Sequence, residues 1–262
     1  MAICKLCLKE RDLIKKSHII PRFINKLLLT GDENQFYVIH KIPEKGINKH
    51  RLVYDSCYES DLLCIECDNL IGKLETYAAN VLANKNLPYS LALNITHLYL
   101  PNGKFFQICN VDYTKFKLFC LSLVWRASIA HGDFFKDVNL GKKHEEIIRQ
   151  MILNNDAKGV NDYPIEFATF NQQGSERVKL IAPPRKIKDG YNTFYRFSFV
   201  GLLFIIHIRL EMNLYDKILN NSILPSNTVM LRHIPMVLGI NISKSQSAFS
   251  YPRLNAFATR SR

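Results

Sequence analysis

Apolar residues recur at helical spacing in three stretches of the chain. The first runs from Leu70 to Leu82, the second from Tyr113 to Ile129, and the third from Lys142 to Leu153, just after Gly141. Apolar positions three or four residues apart lie on one face of a helix, so each stretch is predicted to be helical. The second is apolar along most of its length and is expected to be largely buried.

β-prone segments occupy much of the remaining chain. Residues 98–100 and 105–108 flank a Pro-Asn-Gly turn signal at 101–103, which predicts a hairpin. From about Tyr163 onward, β-prone runs cover 178–181, 194–208 and 230–237. The longest apolar stretch, Phe197 to Ile208, is shorter than the roughly twenty residues of a membrane span. It is predicted to be a single buried strand, and no membrane association is expected.

The order of these elements predicts an α+β fold with two parts. A chain of 262 residues with 47% hydrophobic content is long enough for one large domain or two ordinary ones. We expect residues 1–85 to form a compact cysteine-rich module and residues 86–262 to form a mixed α+β extension that contacts nucleic acid, a second copy or a partner.

Two Cys-x-x-Cys pairs in the first part have the spacing of zinc ligands. A Cys-x-x-Cys turn directs two sulfurs at one point about 2.3 Å from a shared Zn²⁺, and two such turns complete a tetrahedral site. Such a site has no position left for water, so the zinc is predicted to be structural. The four predicted ligands are Cys4, Cys7, Cys64 and Cys67.

Three further cysteines make the total odd, at seven. An odd number in a chain without a recognisable signal peptide favours free thiols and a reducing cytoplasm. Cys109 and Cys120 lie among apolar residues and are expected to be buried and inert. Cys57 is left open as an alternative metal ligand.

The net charge of +12 favours a polyanionic partner. Each phosphate that a cation neutralises releases a counterion, which raises affinity at low salt. A merely basic protein without a nucleic-acid partner is the plainer alternative.

A histidine between the two cysteine pairs is the candidate for chemistry. His18 lies within Ser-His-Ile-Ile-Pro, flanked by Lys15, Lys16 and Arg22. Hydrolysis of a phosphodiester requires a base for the attacking water and a cation for the developing charge, and histidine suits the first role. A structural histidine that fills space between a hairpin and a helix is the alternative.

The succession of Cys-x-x-Cys, His-Ile-x-Pro and Cys-x-x-Cys resembles the HNH nucleases. The resemblance implies a ββα-metal core built on a treble-clef zinc site, in which His18 activates water and a divalent cation, Mg²⁺ or Mn²⁺, sits on the scissile phosphate. Residues 61–69, 75–77 and 123–128 also resemble bacterial HNH proteins of similar length. Such proteins are associated with defence against phage, which implies DNA as substrate and a defence-system partner.

The chain departs from the HNH pattern at several positions. Ser17 stands where many members have aspartate or histidine, and Asp68 stands where the closing histidine is usual. Aspartate oxygen suits Mg²⁺ or Mn²⁺, although Asp68 is equally suited to cap a helix that begins after Cys67. The middle asparagine has no clean counterpart, and Glu59 is the nearest residue by spacing.

Two charged residues remain ambiguous. Glu75 follows Asp68 by about two helical turns and could approach the same cation, or it could be solvated or salt-bridged. Arg126 interrupts an apolar helix and could either pair with a buried acid or bind a phosphate.

The leading hypothesis is a cytoplasmic, metal-dependent HNH-like endonuclease acting on DNA. Its predicted catalytic residues are His18, Asp68, Glu59 and Glu75, and its predicted nucleic-acid contacts are Lys15, Lys16, Arg22 and Arg126. A homodimer is a further expectation. The rival hypothesis is a catalytically inactive zinc module that binds nucleic acid or a protein, and Ser17 together with the missing asparagine keeps it open.

Overall fold

A computed structural model of the chain describes residues 1–28, 36–41, 49–53, 57–82, 95–100, 103–171, 181–199, 201–214, 223–224 and 228–235. Over these residues the fold is mixed α+β, as predicted, with four α-helices. The helices are α1 (Arg22–Leu28), α2 (Ile65–Leu82), α3 (Tyr113–Ile129) and α4 (Gly141–Leu153), with 3₁₀ turns at Asp133–Phe135 and Met212–Leu214.

Fourteen strands are present in the described residues. They are β1 (Ala2–Ile3), β2 (Glu10–Arg11), β3 (Ser17–His18), β4 (Phe36–Lys41), β5 (Lys49–Val53), β6 (Tyr58–Glu59), β7 (Ile95–Leu100), β8 (Gly103–Ile108), β9 (Ile165–Asn171), β10 (Ile181–Asp189), β11 (Asn192–Phe199), β12 (Leu202–Arg209), β13 (Ile223–Leu224) and β14 (Thr228–Pro235). Ten form one sheet in the order β5-β4-β10-β11-β12-β9-β14-β8-β7, with β13 beside β14. The others form two small pairs, β1-β2 and β3-β6.

The predicted helices are confirmed, with one earlier start. α3 has the predicted bounds, and Asp112 caps it by accepting a hydrogen bond of 2.9 Å from the Lys115 backbone N–H. α2 begins at Ile65 rather than near Leu70. Its first turn therefore contains the second half of the Cys64-x-x-Cys67 pair, which periodicity of apolar residues does not reveal.

The predicted hairpin is confirmed as β7 and β8, which pair antiparallel. The prediction of one strand from Phe197 to Ile208 is wrong, because the segment is divided between β11 and β12, which pair antiparallel. Gly201 has φ +74°, a conformation that glycine adopts without steric cost, and it provides the reversal. The predicted run at 230–237 corresponds to β14 as far as Pro235, and most of the run at 178–181 lies outside the described residues.

The buried helix α3 packs on one face of the large sheet. Phe116 on α3 contacts Phe167 on β9 with ring centroids 5.3 Å apart, and Phe167 contacts Phe204 on β12 at 5.5 Å. Most buried apolar residues, from Cys4 to Ile206, belong to one large cluster. A second, smaller cluster contains Ala168, Phe194, Leu203 and Ile205. The cysteine-rich residues and the sheet are therefore packed against each other through α3.

The strands β4 and β5 lie between the two cysteine pairs in sequence but belong to the large sheet. β4 pairs with β10 in parallel, with Val38 opposite Ile181. The predicted division into residues 1–85 and 86–262 stays a prediction, with these two strands contributed by the first part to the sheet of the second. None of the described helices has the length and apolar character that a membrane crossing requires.

Candidate metal centre and adjoining histidine

The first cysteine pair lies in a tight turn between two short strands. β1 and β2 pair antiparallel, and the turn between them is closed by hydrogen bonds from Leu8 N to Cys4 O (2.9 Å) and from Cys4 N to Lys9 O (3.0 Å). Leu8 takes the left-handed conformation, with φ +58°. The turn holds Cys4 fully buried and leaves Cys7 half-buried.

The second cysteine pair lies at the start of α2. Backbone bonds attach this segment to the chain that follows the first pair: Ile14 N donates to Leu63 O at 2.9 Å, and Leu13 forms a β-bridge with Cys64. Lys5 N likewise donates to Leu62 O at 2.9 Å. These contacts bring the two cysteine pairs together.

The four predicted ligands converge. The sulfurs of Cys4, Cys7, Cys64 and Cys67 all lie within 4.8 Å of one another and could hold a metal ion. Tetrahedral zinc with bonds of about 2.3 Å places its sulfurs about 3.8 Å apart, so this donor set and spacing suit zinc. Cys57 is not among the four, and its carbonyl accepts a hydrogen bond from Ile19 N at 2.9 Å.

The protonation preferences of these thiols differ. Burial raises the pKa of Cys4, but hydrogen bonds from the backbone N–H groups of Cys7, Cys64 and Leu6 outweigh it and lower the pKa to about 7. Burial raises the pKa of Cys64 to about 11 and also raises the pKa of Cys67. Four neighbouring thiolates repel one another, and a divalent cation among them would favour the thiolate form.

His18 lies on β3, and the residue before it contacts the helix that begins within the second cysteine pair. β3 pairs with β6, so that Ser17 is opposite Glu59 and His18 is opposite Tyr58. Ser17 is fully buried, and its hydroxyl donates a hydrogen bond of 3.0 Å to Asp68 Oδ1. The residue before the histidine and the residue after the last cysteine are thus in direct contact.

The predicted residues Glu75 and Arg126 contact each other. Arg126 Nη1 lies 2.6 Å from Glu75 Oε1 and also donates to the carbonyl of His18. Arg126 is 2% exposed, and its Nε donates to Ser122 O at 3.3 Å. Glu75 and Arg126 therefore form the ion pair that was one of the two alternatives for each of them. The ion pair favours the salt-bridge alternative for both residues, and the roles of Glu75 as a cation ligand and of Arg126 as a phosphate contact stay predictions.

Glu59 and Asp68 each accept a hydrogen bond from an uncharged donor. Glu59 is half-buried, and its Oε1 accepts a hydrogen bond of 2.8 Å from Gly132 N. Asp68 is half-buried in the first turn of α2, and its own N donates to Cys64 O at 3.0 Å. Asp68 is therefore inside the helix and does not cap it, although a negative charge there is favourable near the helix N-terminus.

The predicted basic contacts on the segment around His18 are all exposed to solvent. Lys15, Lys16 and Arg22 are exposed, and Lys16 Nζ lies 4.7 Å from the centroid of the Tyr58 ring. Tyr58 itself is a residue that sequence reasoning missed. Alternation in a two-residue strand is too short to predict its pairing with His18.

A second buried arginine also escaped prediction. Arg149 on α4 donates from Nη1 to the carbonyl of Leu6, inside the first cysteine turn, and from Nε to Glu146 Oε2 at 2.7 Å. The i,i+3 spacing of Glu146 and Arg149 indicates their ion pair. Nothing local indicates the contact with Leu6, because it joins residues that are far apart in sequence.

Comparison of the chain with known proteins finds no significant match. No family model matches the chain, and neither a curated protein nor a solved structure shows significant similarity to it.

Proposed function

We propose that the chain is an HNH-like, metal-dependent endonuclease that hydrolyses phosphodiester bonds of DNA. The observation that carries the proposal is the hydrogen bond between Ser17 and Asp68, at 3.0 Å. It joins the segment of the candidate base His18 to the helix that follows the second cysteine pair. These are the two elements that must meet if one site is to hold both a base and a cation.

In this proposal the four cysteines bind zinc, and the zinc is structural. Four thiolates complete the tetrahedral coordination, so no position is left for water or substrate. The zinc would tie the β1-β2 turn to the start of α2. Reactivity then belongs to the residues beside the zinc.

His18 is the general base of the proposed reaction. Its backbone carbonyl accepts from Arg126, and its strand is paired with β6, so its main chain is fixed on two sides. A fixed main chain limits the positions that the imidazole can reach, which favours proton removal from a positioned water.

A divalent cation, Mg²⁺ or Mn²⁺, would be held by Asp68 with help from Glu59. Both offer carboxylate oxygens, which are the hard donors that these ions prefer, and both are half-buried rather than enclosed. When bound, such an ion would neutralise the charge that develops on the phosphate and the leaving oxygen. Ser17 would contribute by orienting Asp68 through its hydroxyl.

A specific observation favours the second candidate, a catalytically inactive zinc module that binds nucleic acid or a protein. Ser17 is fully buried and its hydroxyl is directed at Asp68, so the pair already satisfies itself without a cation. Glu75, the third carboxylate considered, is neutralised by Arg126.

Cleavage assays separate the two candidates. Supercoiled plasmid, single-stranded DNA and RNA are incubated with the protein in Mg²⁺ or Mn²⁺, beside His18→Ala and beside His144→Ala, a control on α4 purified in the same way. The nuclease proposal expects cleavage by the wild type and by His144→Ala, and a loss of about a hundredfold or more in His18→Ala. Binding without cleavage that depends on His18 would favour the inactive module.

A gain-of-ligand variant tests the cation position independently. Ser17→Asp places a second carboxylate against Asp68, so repulsion should lower the melting temperature without divalent ions. Added Mn²⁺ should restore it and raise the cleavage rate. No response of the melting temperature to Mn²⁺ would argue against a cation at this position.

The cellular role follows from the same proposal. A cytoplasmic DNA nuclease of this kind would act against phage or other invading DNA, with a homodimer or a defence-system protein as partner. Plating efficiency of phage on cells that express the wild type or His18→Ala measures this directly, and equal plating on both would exclude a catalytic role in defence.

A further inference from the structure

We propose that Tyr58 and Lys16 form a stacking platform for one unpaired nucleobase beside His18. The inference deepens the proposed function, since it assigns to the same site a substrate with an unstacked base next to the reacting phosphate. Tyr58 and Lys16 together are called the base platform below.

Tyr58 lies beside His18 in the small two-stranded sheet. It lies on β6 directly opposite His18 on β3, and paired residues of an antiparallel ladder project on the same face. Their rings meet edge to face, with centroids 6.3 Å apart and an interplanar angle of 61°. A ligand that stacks on Tyr58 is therefore brought close to the histidine.

The Tyr58 side chain is partly exposed to solvent. The residue is 44% exposed, whereas most aromatic side chains described on α3 and the large sheet are buried. An aromatic ring left in water next to a candidate catalytic residue offers a flat apolar surface. Nucleobases stack on such surfaces whatever their identity, because every base has a π-face.

A lysine ammonium group lies close to the Tyr58 ring. Lys16 Nζ lies 4.7 Å from the ring centroid, so a cation lies against the partly exposed ring on which a base would stack. Lys15 and Arg22 are exposed on the same short segment. A nucleotide that stacks on Tyr58 thus finds cations for its phosphates, which an apolar peptide segment does not require.

The geometry of stacking selects among nucleic acids. In a duplex, the faces of the bases are covered by neighbouring base pairs, so a protein ring cannot reach them without unstacking. Single strands, loops, ends and flaps present free faces. The base platform therefore favours single-stranded or locally unpaired nucleic acid over intact duplex.

Binding measured without cleavage tests the base platform. Fluorescence anisotropy follows labelled oligonucleotides of about 12 nucleotides, single-stranded or as duplex, in buffer without added divalent cation. Tyr58→Ala should weaken single-strand binding by about fivefold or more, whereas Tyr58→Phe should stay within about twofold of the wild type. Duplex binding should change by less than about twofold in either variant.

Matched variants keep the outcome interpretable. Tyr99→Ala removes a tyrosine that is 73% exposed on β7 and should bind like the wild type. Lys16→Ala should reduce the slope of log affinity against log salt concentration by about the amount that one phosphate contact contributes. Zinc content and circular dichroism establish that each variant is folded.

Several results would overturn the platform. These are unchanged single-strand binding by folded Tyr58→Ala, an equal loss on duplex, or absence of single-strand binding by the wild type, which would instead leave Tyr58 as a protein-contact residue. The proposed nuclease function fails separately. If cleavage does not depend on His18 while Tyr58→Ala still weakens single-strand binding, the platform stands and the nuclease proposal falls.

Discussion

At the scale of single residues, Arg126 connects the helices to the strand that carries the candidate base. It pairs with Glu75 on α2 and donates to the carbonyl of His18 on β3, while its own position is on α3. The planar guanidinium presents several donors in fixed directions, and a lysine ammonium cannot reproduce this fork. Arg126 therefore holds the backbone of His18 in place relative to α2 and α3.

Replacing Arg126 should destabilise the protein strongly. Arg126→Ala leaves Glu75, which is 19% exposed at its side chain, without its partner, and we expect the free energy of unfolding to fall by about 3–5 kcal/mol. Arg126→Met combined with Glu75→Gln removes both charges and should recover part of this loss. Chemical denaturation measures each value.

Lys115→Ala is the matched control for Arg126→Ala. Lys115 lies on the same helix in an exposed ion pair of 2.9 Å with Asp112, and its loss should cost about 1 kcal/mol or less. A similar cost for Arg126→Ala and Lys115→Ala would show that the buried pair has no special structural role.

The sequence predicts the members of the site better than their contacts. The Cys-x-x-Cys spacing correctly identified all four converging cysteines, because each turn fixes two sulfurs locally. An arginine on an apolar helix predicts an acidic partner, but it does not say which one. The sequence allowed Glu75 to be either salt-bridged or a cation ligand, and it could not identify Arg126 as the partner because the two residues are far apart in sequence.

At the scale of elements, α3 also carries a buried lysine. Lys117 is 1% exposed, and its Nζ donates to Gly159 O at 2.6 Å and to Tyr113 Oη at 3.0 Å. These hydrogen bonds connect the loop that follows α4 to the first turn of α3. Burial lowers the pKa of Lys117 to about 8, and the nearby carboxylates of Asp162 and Asp156 offset only part of this effect.

The contribution of Lys117 to stability should depend on pH with a definite sign. Its folded pKa of about 8 lies below its ordinary value of 10.5, so between these values the unfolded chain binds more protons. Stability contributed by this residue therefore rises with pH. The unfolding free energy of wild type minus that of Lys117→Met should increase by about 2 kcal/mol between about pH 7 and about pH 9.5. A difference that stays constant across this range would mean that Lys117 is not desolvated.

Elements with strong local signals were predictable. The bounds of α3 follow from uninterrupted helical spacing, and the β7-β8 hairpin follows from its turn residues. The division of Phe197–Ile208 into two strands was missed because it depends on one glycine within a continuous apolar run. The start of α2 was missed because the cysteine turn overlaps its first turn.

At the scale of the whole molecule, the ten-stranded sheet and the larger hydrophobic cluster both contain residues from the early and late parts of the chain. β14 lies between β8 and β9, parallel to β9, and β4 lies parallel to β10. Pairings between distant strands depend on the packing of the complete fold, and sequence periodicity carries no information about partners. The order of strands in the sheet could not be predicted for this reason.

Because the larger hydrophobic cluster contains residues from both parts of the chain, the two parts should unfold cooperatively. The single tryptophan, Trp125, is buried on α3, and its fluorescence reports on the packing of that helix. Denaturation followed by fluorescence and by far-ultraviolet circular dichroism should give coincident transitions. Two separated transitions would instead indicate that residues 1–85 and 86–262 unfold as independent units.

The proposed catalytic site requires that the cysteine cluster be a zinc centre, and elemental analysis tests this most directly. Protein purified without added metal should contain about one zinc per chain, and His18→Ala and Asp68→Ala should retain it, because neither residue belongs to the four sulfurs. Cys4→Ser should lose the zinc and much of its stability. Wild-type protein that is folded, reduced and free of zinc, or a Cys4→Ser variant that is as stable as the wild type, would contradict the account.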